Sequence, residues 1–290
     1  MNRQSHKQTP VWFVTGASKG IGFELVSQLL EQNYRVAATT RDTDKLRQQL
    51  GADAESVGFL PMAVNLTSEA SVGEAVRATI EQFGRIDIVV NHAGFRQVGT
   101  LEEVTDEEAR YNFDVNVFGT LNVIRQVMPH LRKQQSGRIL NFSSTGGLSG
   151  TFLPGWGVYC ATKFAIEGLS ESLSAEVAPF GIKITLVVPG AFRTGFHTSG
   201  TMKLAAKRVD DYVLARQLED IVMQVTDSNP NDPAKAATAL IRIANEANPP
   251  LHLLLGQDAY DVASGKIKAL QDDMATWKEL SFSTEFMQPA

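Results

Sequence analysis

Apolar clusters rich in Val, Ile and Phe alternate along this chain with longer segments of helical period. Val11 to Val14 predicts a first strand, and Phe23 to Gln32 the helix that follows it. Tyr34 to Thr39 predicts a second strand, then a helix near Asp44 to Leu50. Phe59 to Val64 reads as a third strand, broken by Pro61, with a helix over Ser71 to Phe83. Ile86 to Val90 is a fourth, followed by a long helical stretch from Thr105 to Leu131. Arg138 to Phe142 is a fifth, Val158 to Val177 its helix, and Ile182 to Val188 a sixth. These strands are apolar at consecutive rather than alternate positions, the pattern of parallel strands buried on both faces. Strict strand–helix alternation predicts an α/β fold, a doubly wound parallel sheet with helices on both faces.

After Pro189 the pattern changes. Gly195 to Asn229 mixes polar and apolar residues with weak period. Pro233 to Asn245 predicts a helix with Asp232 as N-cap and Pro233 at its first position. Leu251 to Leu255 predicts a seventh strand, and Asp258 to Leu280 a mostly helical end. The expected organisation is one domain over 1–290, with a substrate-loop insertion at about 195–230 and a C-terminal helical extension at about 257–280.

Composition narrows the class. A chain of 290 residues buries roughly 75% of its unfolded surface and needs no covalent staples. Its lone Cys160 can form no internal disulfide, which points to a reducing, cytoplasmic setting. Dispersed charge with a net of -5 leaves no footprint for nucleic acid. Met1 to Pro10 is polar and lacks the apolar stretch of a secretory signal. Ile139 to Thr162 carries no charge over 24 residues, but its five glycines and Pro154 argue against a membrane span. Such a stretch lines a buried site instead. The five histidines lack zinc-like spacing, so no metal is expected, and no Gly-x-Ser-x-Gly elbow supports a hydrolase.

Directly after the first strand, Thr15-Gly16-Ala17-Ser18-Lys19-Gly20-Ile21-Gly22 opens a helix. Glycines there let the backbone turn sharply and let a pyrophosphate approach the amides of the helix N-terminus. Their spacing is Gly-x3-Gly-x-Gly, not the commoner Gly-x-Gly-x2-Gly. The second strand ends in Thr39-Thr40-Arg41, with no acid before Asp42. A carboxylate would bind the ribose 2'-hydroxyl of NAD, whereas Arg accommodates the 2'-phosphate of NADP. Arg41, helped by Lys19, therefore favours NADP over NAD.

The uncharged stretch ends in Tyr159-Cys160-Ala161-Thr162-Lys163. Tyr and Lys four apart share one helix face, and an ammonium there is expected to lower the phenol pKa toward general acid–base use. With the glycine turn, Asn91-His92-Ala93-Gly94, Asn116, Ser143-Ser144 and Pro189-Gly190, the chain resembles the short-chain dehydrogenase/reductase family from about Val11 to Thr194. The resemblance implies a single Rossmann-like sheet of about seven strands and a tetrad of Asn116, Ser144, Tyr159 and Lys163. Ser144 would polarise a substrate carbonyl and Tyr159 would exchange its proton. Lys163 would lower the tyrosine pKa and bind ribose hydroxyls, and Asn116 would anchor a relay water. The Ser144-to-Tyr159 interval is about two residues longer than usual, which leaves Ser143 as the alternative. The cofactor contacts it implies are Gly16, Ser18, Gly20, Ile21, Gly22, Asn91, Ala93, Gly94, Pro189, Gly190, Phe192 and Thr194. Asn65 stands in place of the usual adenine-side Asp, and His92 reads as a packed residue.

Loops after parallel strands gather at the carboxyl end of the sheet. Phe95, Arg96 and Gln97, Leu148 to Trp156, and Gly195 to about Asp220 are therefore candidates for substrate contact. Leu153, Trp156 and Phe196, with Met202 and Leu204, form either an apolar pocket or a lid over the cofactor. The resemblance also implies a homodimer or homotetramer, built on the long helices at Glu107 to Leu131 and Val158 to Val177. The activity it implies is interconversion of a hydrophobic ketone or aldehyde with an alcohol, as in an NADP-preferring carbonyl reductase. Two other classes stay open: an NADP-binding sensor without chemistry, and a methyl transferase, which would leave Tyr159-x3-Lys163 unexplained.

Overall fold

The computed structural model describes residues 9–194, 201–224 and 228–286. β1 (Val11–Thr15) leads into α1 (Gly20–Glu31), β2 (Arg35–Thr40) into α2 (Thr43–Leu50), and β3 (Phe59–Ala63) into α3 (Glu69–Phe83). β4 (Ile88–Asn91) is followed by a short β5 (Arg96–Val98) and α4 (Asp106–Phe113), which continues through a π-helical turn (Asp114–Phe118) into α5 (Gly119–Gln134). Then come β6 (Gly137–Phe142), the short α6 (Thr145–Leu148), α7 (Gly157–Val177) and β7 (Ile182–Pro189). The remainder holds β8 (Met202–Leu204), α8 (Val213–Gln224), α9 (Pro233–Asn245), β9 (His252–Leu255), α10 (Gln257–Thr276) and α11 (Lys278–Phe282).

Seven strands form one parallel sheet in the order β3-β2-β1-β4-β6-β7-β9, the doubly wound arrangement expected. Strand order reverses between β1 and β4, and ligands bind in the crevice at the carboxyl ends of such a pair. Successive β1 residues serve opposite layers. Trp12 and Val14 pack with Leu25 and Leu29 of α1, Leu46 of α2 and Leu240 of α9. Val11 and Phe13 pack on the other face with Val72 and Val76 of α3, Val127 and Leu131 of α5, and Leu173 of α7. Pro61 does not break the third strand. β3 is an edge strand paired with β2 in the register Ala38↔Pro61, and an edge tolerates a residue without an N–H.

Helix ends follow local chemistry. Asp42, the first acid after β2, accepts from the Lys45 amide at 3.0 Å and caps α2. Asp232 caps α9, with Pro233 first in the helix, as expected. Two features lie outside the sequence expectation. β5 and β8 pair as a separate two-stranded parallel sheet, and α8 stands within the segment of weak period. Together they enclose a small third core in which Val98, Leu153, Trp156 and Tyr159 meet Met202, Leu218 and Val222.

Candidate active site

A cavity of about 930 Å³ runs along the carboxyl ends of the central strands. At one end it is lined by Arg41, Asn65 and Thr67, and in the middle by Gly16, Ser18, Lys19, Gly20 and Ile21. It continues past Ala93, Gly94, Pro189, Gly190, Phe192 and Thr194 to Ser144, Tyr159 and Lys163. Phe95, Arg96, Phe152, Leu153, Trp156, Leu218, Ile221 and Val222 close the far end.

The dinucleotide half is built by close packing. Gly16 sits at φ +70, and a Cβ there would lie 2.8 Å from the Ala93 Cα. A Cβ on Gly22 would lie 2.5 Å from the Gly16 carbonyl oxygen and 2.6 Å from His92 Nδ1. The turn is thus pressed against the loop after β4, and the first amides of α1, which lack intrahelical acceptors, stand beside the cavity. His92 fastens this junction. Its Nδ1 lies 3.1 Å from the Gly16 carbonyl, which can only accept, so that nitrogen carries the proton. Its ring meets Phe142 edge to face, and burial pulls its pKa down to about 4. His92 is a packed, neutral residue, as its place in the sequence suggests. Asn65 is exposed and uses its carbonyl oxygen on the Thr67 amide and hydroxyl.

At the reacting end, the Ser144 hydroxyl and the Tyr159 phenol line the same part of the cavity despite the long interval between them, and Ser144 Oγ accepts from the Gly146 amide at 3.2 Å. Ser143, buried next to Ser144 in the chain, lines the same cavity. Lys163 donates to the Phe142 carbonyl at 2.8 Å, and its Nζ lies 5.8 Å from the Tyr159 ring centroid. Burial lowers the Lys163 pKa to about 8, Glu167 acting against this and Arg96 with it. Burial also pushes the Tyr159 phenol up, opposed first by Arg96 and then by the Ser144 hydroxyl. Arg96 is thus the first group that works against the rise, from a position the Tyr-x3-Lys spacing does not point to. The Arg96 guanidinium lies 4.0 Å from the Trp156 ring centroid and 5.6 Å from that of Tyr159, and burial lowers its pKa to about 10.

Three expected site residues stand behind the cavity wall rather than in it. Gly22 packs on the turn itself. Asn91 donates to Asn141 at 2.8 Å, and Asn141 donates on to Ser170. Asn116 sits in the π-helical turn, a distortion frequent at functional sites. Its amide donates to the Phe95 carbonyl at 2.9 Å and to Thr162 at 3.0 Å, and its side-chain oxygen accepts from the Phe95 amide. Asn116 thereby ties the loop after β4 to α7 and brings Gly94 close to Lys163. Of the substrate-side candidates, Leu153 and Trp156 line the cavity, whereas Phe196 and His197 lie outside the described residues.

The cover over the substrate end is fixed by a network that sequence reasoning missed. The fully buried Glu103 carboxylate accepts from the Thr100 and Val209 amides at 2.7 Å and from Arg216 Nη2 at 2.6 Å. Arg216 also reaches Glu219 at 2.8 Å, which pairs with Arg208 at 3.2 Å. Burial alone would raise the Glu103 pKa; these donors outweigh it and hold the carboxylate at about 2. A second cluster lies away from the cavity, where His252 Nε2 is 3.3 Å from Glu167 and 3.5 Å from Glu171. It is an ion-pairing group when the histidine is protonated. Among the described residues no helix is long and apolar enough to cross a membrane.

The short chain dehydrogenase family profile matches residues 10–204. The chain is 33% identical over 276 residues to the oxidoreductase BOA17 of Botryotinia fuckeliana, covering 95% of this chain and 99% of the relative. It is 36% identical over 252 residues to a 3-ketodihydrosphingosine reductase of Bacteroides thetaiotaomicron, covering 86% and 88%. Among solved structures, a short-chain dehydrogenase from Streptomyces avermitilis superposes with a TM-score of 0.88 at 34% identity, over 97% of this chain and 100% of that one. Sheet order, glycine turn and these matches agree: the chain is an oxidoreductase belonging to the short-chain dehydrogenase/reductase family.

Proposed function

We propose that the protein interconverts a hydrophobic ketone or aldehyde with its alcohol, using NADP and Tyr159 as general acid–base. The observation that carries this reading is that Ser144, Tyr159 and Lys163 together line one cavity at the junction of its dinucleotide and apolar halves. The glycine turn, the free amides of α1 and Arg41 fit a dinucleotide with a 2'-phosphate. Arg41 is exposed at the cavity end, and the nearest acid, Asp42, is committed to capping α2. When bound, the nicotinamide supplies or takes up the hydride.

The chain's own residues do the rest. Ser144 donates to the substrate oxygen and holds it beside the phenol. Tyr159 gives its proton to that oxygen in reduction and takes it back in oxidation. Arg96 and Lys163 keep positive charge near the phenolate, and Trp156, Leu153 and Leu218 receive the apolar body of the substrate and exclude water. The similarity to a reductase named for a long-chain ketone supports a substrate of this kind. The lone, buried Cys160, whose thiol burial pushes up to about 11, suits a reducing cytoplasmic setting. Purified protein given NADPH and a panel of long-chain ketones is expected to consume the nicotinamide absorbance band. NADPH binding without turnover on any of a chemically diverse panel would contradict the proposal.

A further inference from the structure

The end of the chain presents a surface that nothing described covers. α10 is rooted by Asp258, which accepts from the Ala191 amide at 2.6 Å and from Asn231 at 2.9 Å, and by the buried Ala259. Beyond Lys266 every described residue is exposed, through α11 to Phe286. The helical stretch from 267 to 282 therefore projects about 24 Å from the body. A free helix of that length is marginal in water, because helices draw their stability from a packed face.

This helix has such a face. Tyr260, Ala263, Ile267, Leu270, Met274 and Trp277 follow one another at alternating intervals of three and four residues, the seam of a coiled coil. Met274 is 72% exposed and Trp277 59%, with Leu280 and Phe282 at the tip similarly open. Together these side chains offer on the order of 700 Å² of apolar area, close to what each partner contributes to a standard specific interface. A single soluble chain seldom leaves so large a patch uncovered.

We propose that α10 and α11 form a dimerisation arm whose seam pairs antiparallel with the same seam of a second copy. Two observations select this occupant. The seam is self-complementary: antiparallel pairing about the Ile267–Leu270 layer sets Tyr260 against Trp277 of the second copy and the small Ala263 against Met274. It also sets Lys266 beside Asp273 twice, by symmetry, while Lys268 and Asp272 are already paired within the helix at 2.9 Å. Such an isologous contact closes on itself and yields a dimer. A lipid surface fits worse, because the segment from 257 to 286 carries three lysines against six carboxylates, whereas membrane-lying helices are rich in cations.

Sedimentation equilibrium of the full chain tests this. The wild type is expected to weigh at least twice the 31.6 kDa of one chain at micromolar concentration. Met274→Asp and Trp277→Asp, which alter exposed positions, should each weaken the association at least about 30-fold, with any loss of helix by circular dichroism no larger than the arm itself contributes. A wild-type tetramer falling to dimers in these variants supports the arm equally. Lys266→Glu and Asp273→Lys should each weaken it about threefold, and the double variant should recover wild-type affinity. A monomeric wild type, unchanged association in both seam variants, or vesicle binding by a monomeric wild type that the seam variants abolish would overturn the proposal.

Discussion

Glu103→Gln tests whether the cover over the substrate end is held electrostatically. The side chain is fully buried and shares its two oxygens among two backbone amides and Arg216. Its pKa of about 2, against 4.5 for an ordinary glutamate, corresponds to roughly 3 kcal/mol favouring the ionised, folded form at neutral pH. The sign is that of a depressed carboxylate: the contribution is complete above pH 4.5 and is lost as the pH falls toward 2. Glutamine keeps the shape but turns an amide toward donors and leaves Arg216 without its charge partner there. In a chain of this length that loss should lower Tm by roughly 5 °C at pH 7. The stability gap between wild type and variant should narrow by about 1 kcal/mol between pH 7 and pH 4. Because Leu218, Ile221 and Val222 of α8 line the cavity, KM for a hydrophobic ketone should rise more than kcat falls. Thermal melts at several pH values with steady-state kinetics decide it. A Tm within 1 °C of wild type and an unchanged KM would refute the electrostatic account of the cover.

Three further outcomes follow from the site. Arg41→Ala should raise the Kd for NADPH by about 10- to 100-fold and leave that for NADH nearly unchanged, read by fluorescence titration; equal loss for both would remove the phosphate role. Arg96→Gln should let the Tyr159 phenol rise further, since Arg96 is the first influence that lowers it. Oxidative kcat needs the phenolate, so its rising limb should move to higher pH, and an unmoved limb would clear Arg96 of any part in the titration. Gly22→Ala places a Cβ 2.5 Å from the Gly16 carbonyl and should abolish dinucleotide binding and lower Tm; retention of both would show that the turn has room to shift.

The sheet was legible because strands buried on both faces leave short, uninterrupted apolar runs, and the carboxyl-end loops then follow from topology. Tyr159 and Lys163 could be put on one helix face because that is a local property, whereas the choice of Ser144 over Ser143 rested on the family resemblance alone. What escaped depends on contacts distant along the chain. β5 and β8 are three-residue strands of mixed polarity, with no period to detect. Arg96 acts on Tyr159 only because the loop after β4 folds back over α7, and Glu103 meets Arg216 from 113 positions away. Gly22, Asn91 and Asn116 stand just behind the cavity wall, where contacts distant along the chain, such as Asn91 to Asn141 and Asn116 to Phe95, set their surroundings.

The most direct measurement is single-turnover hydride transfer by Tyr159→Phe, with NADPH binding titrated in the same preparation. The account predicts that NADPH binds as tightly as to the wild type while reduction of an accepted ketone slows by about 10²- to 10⁴-fold, the range for losing a general acid. Hydride transfer at the wild-type rate in that variant would contradict it.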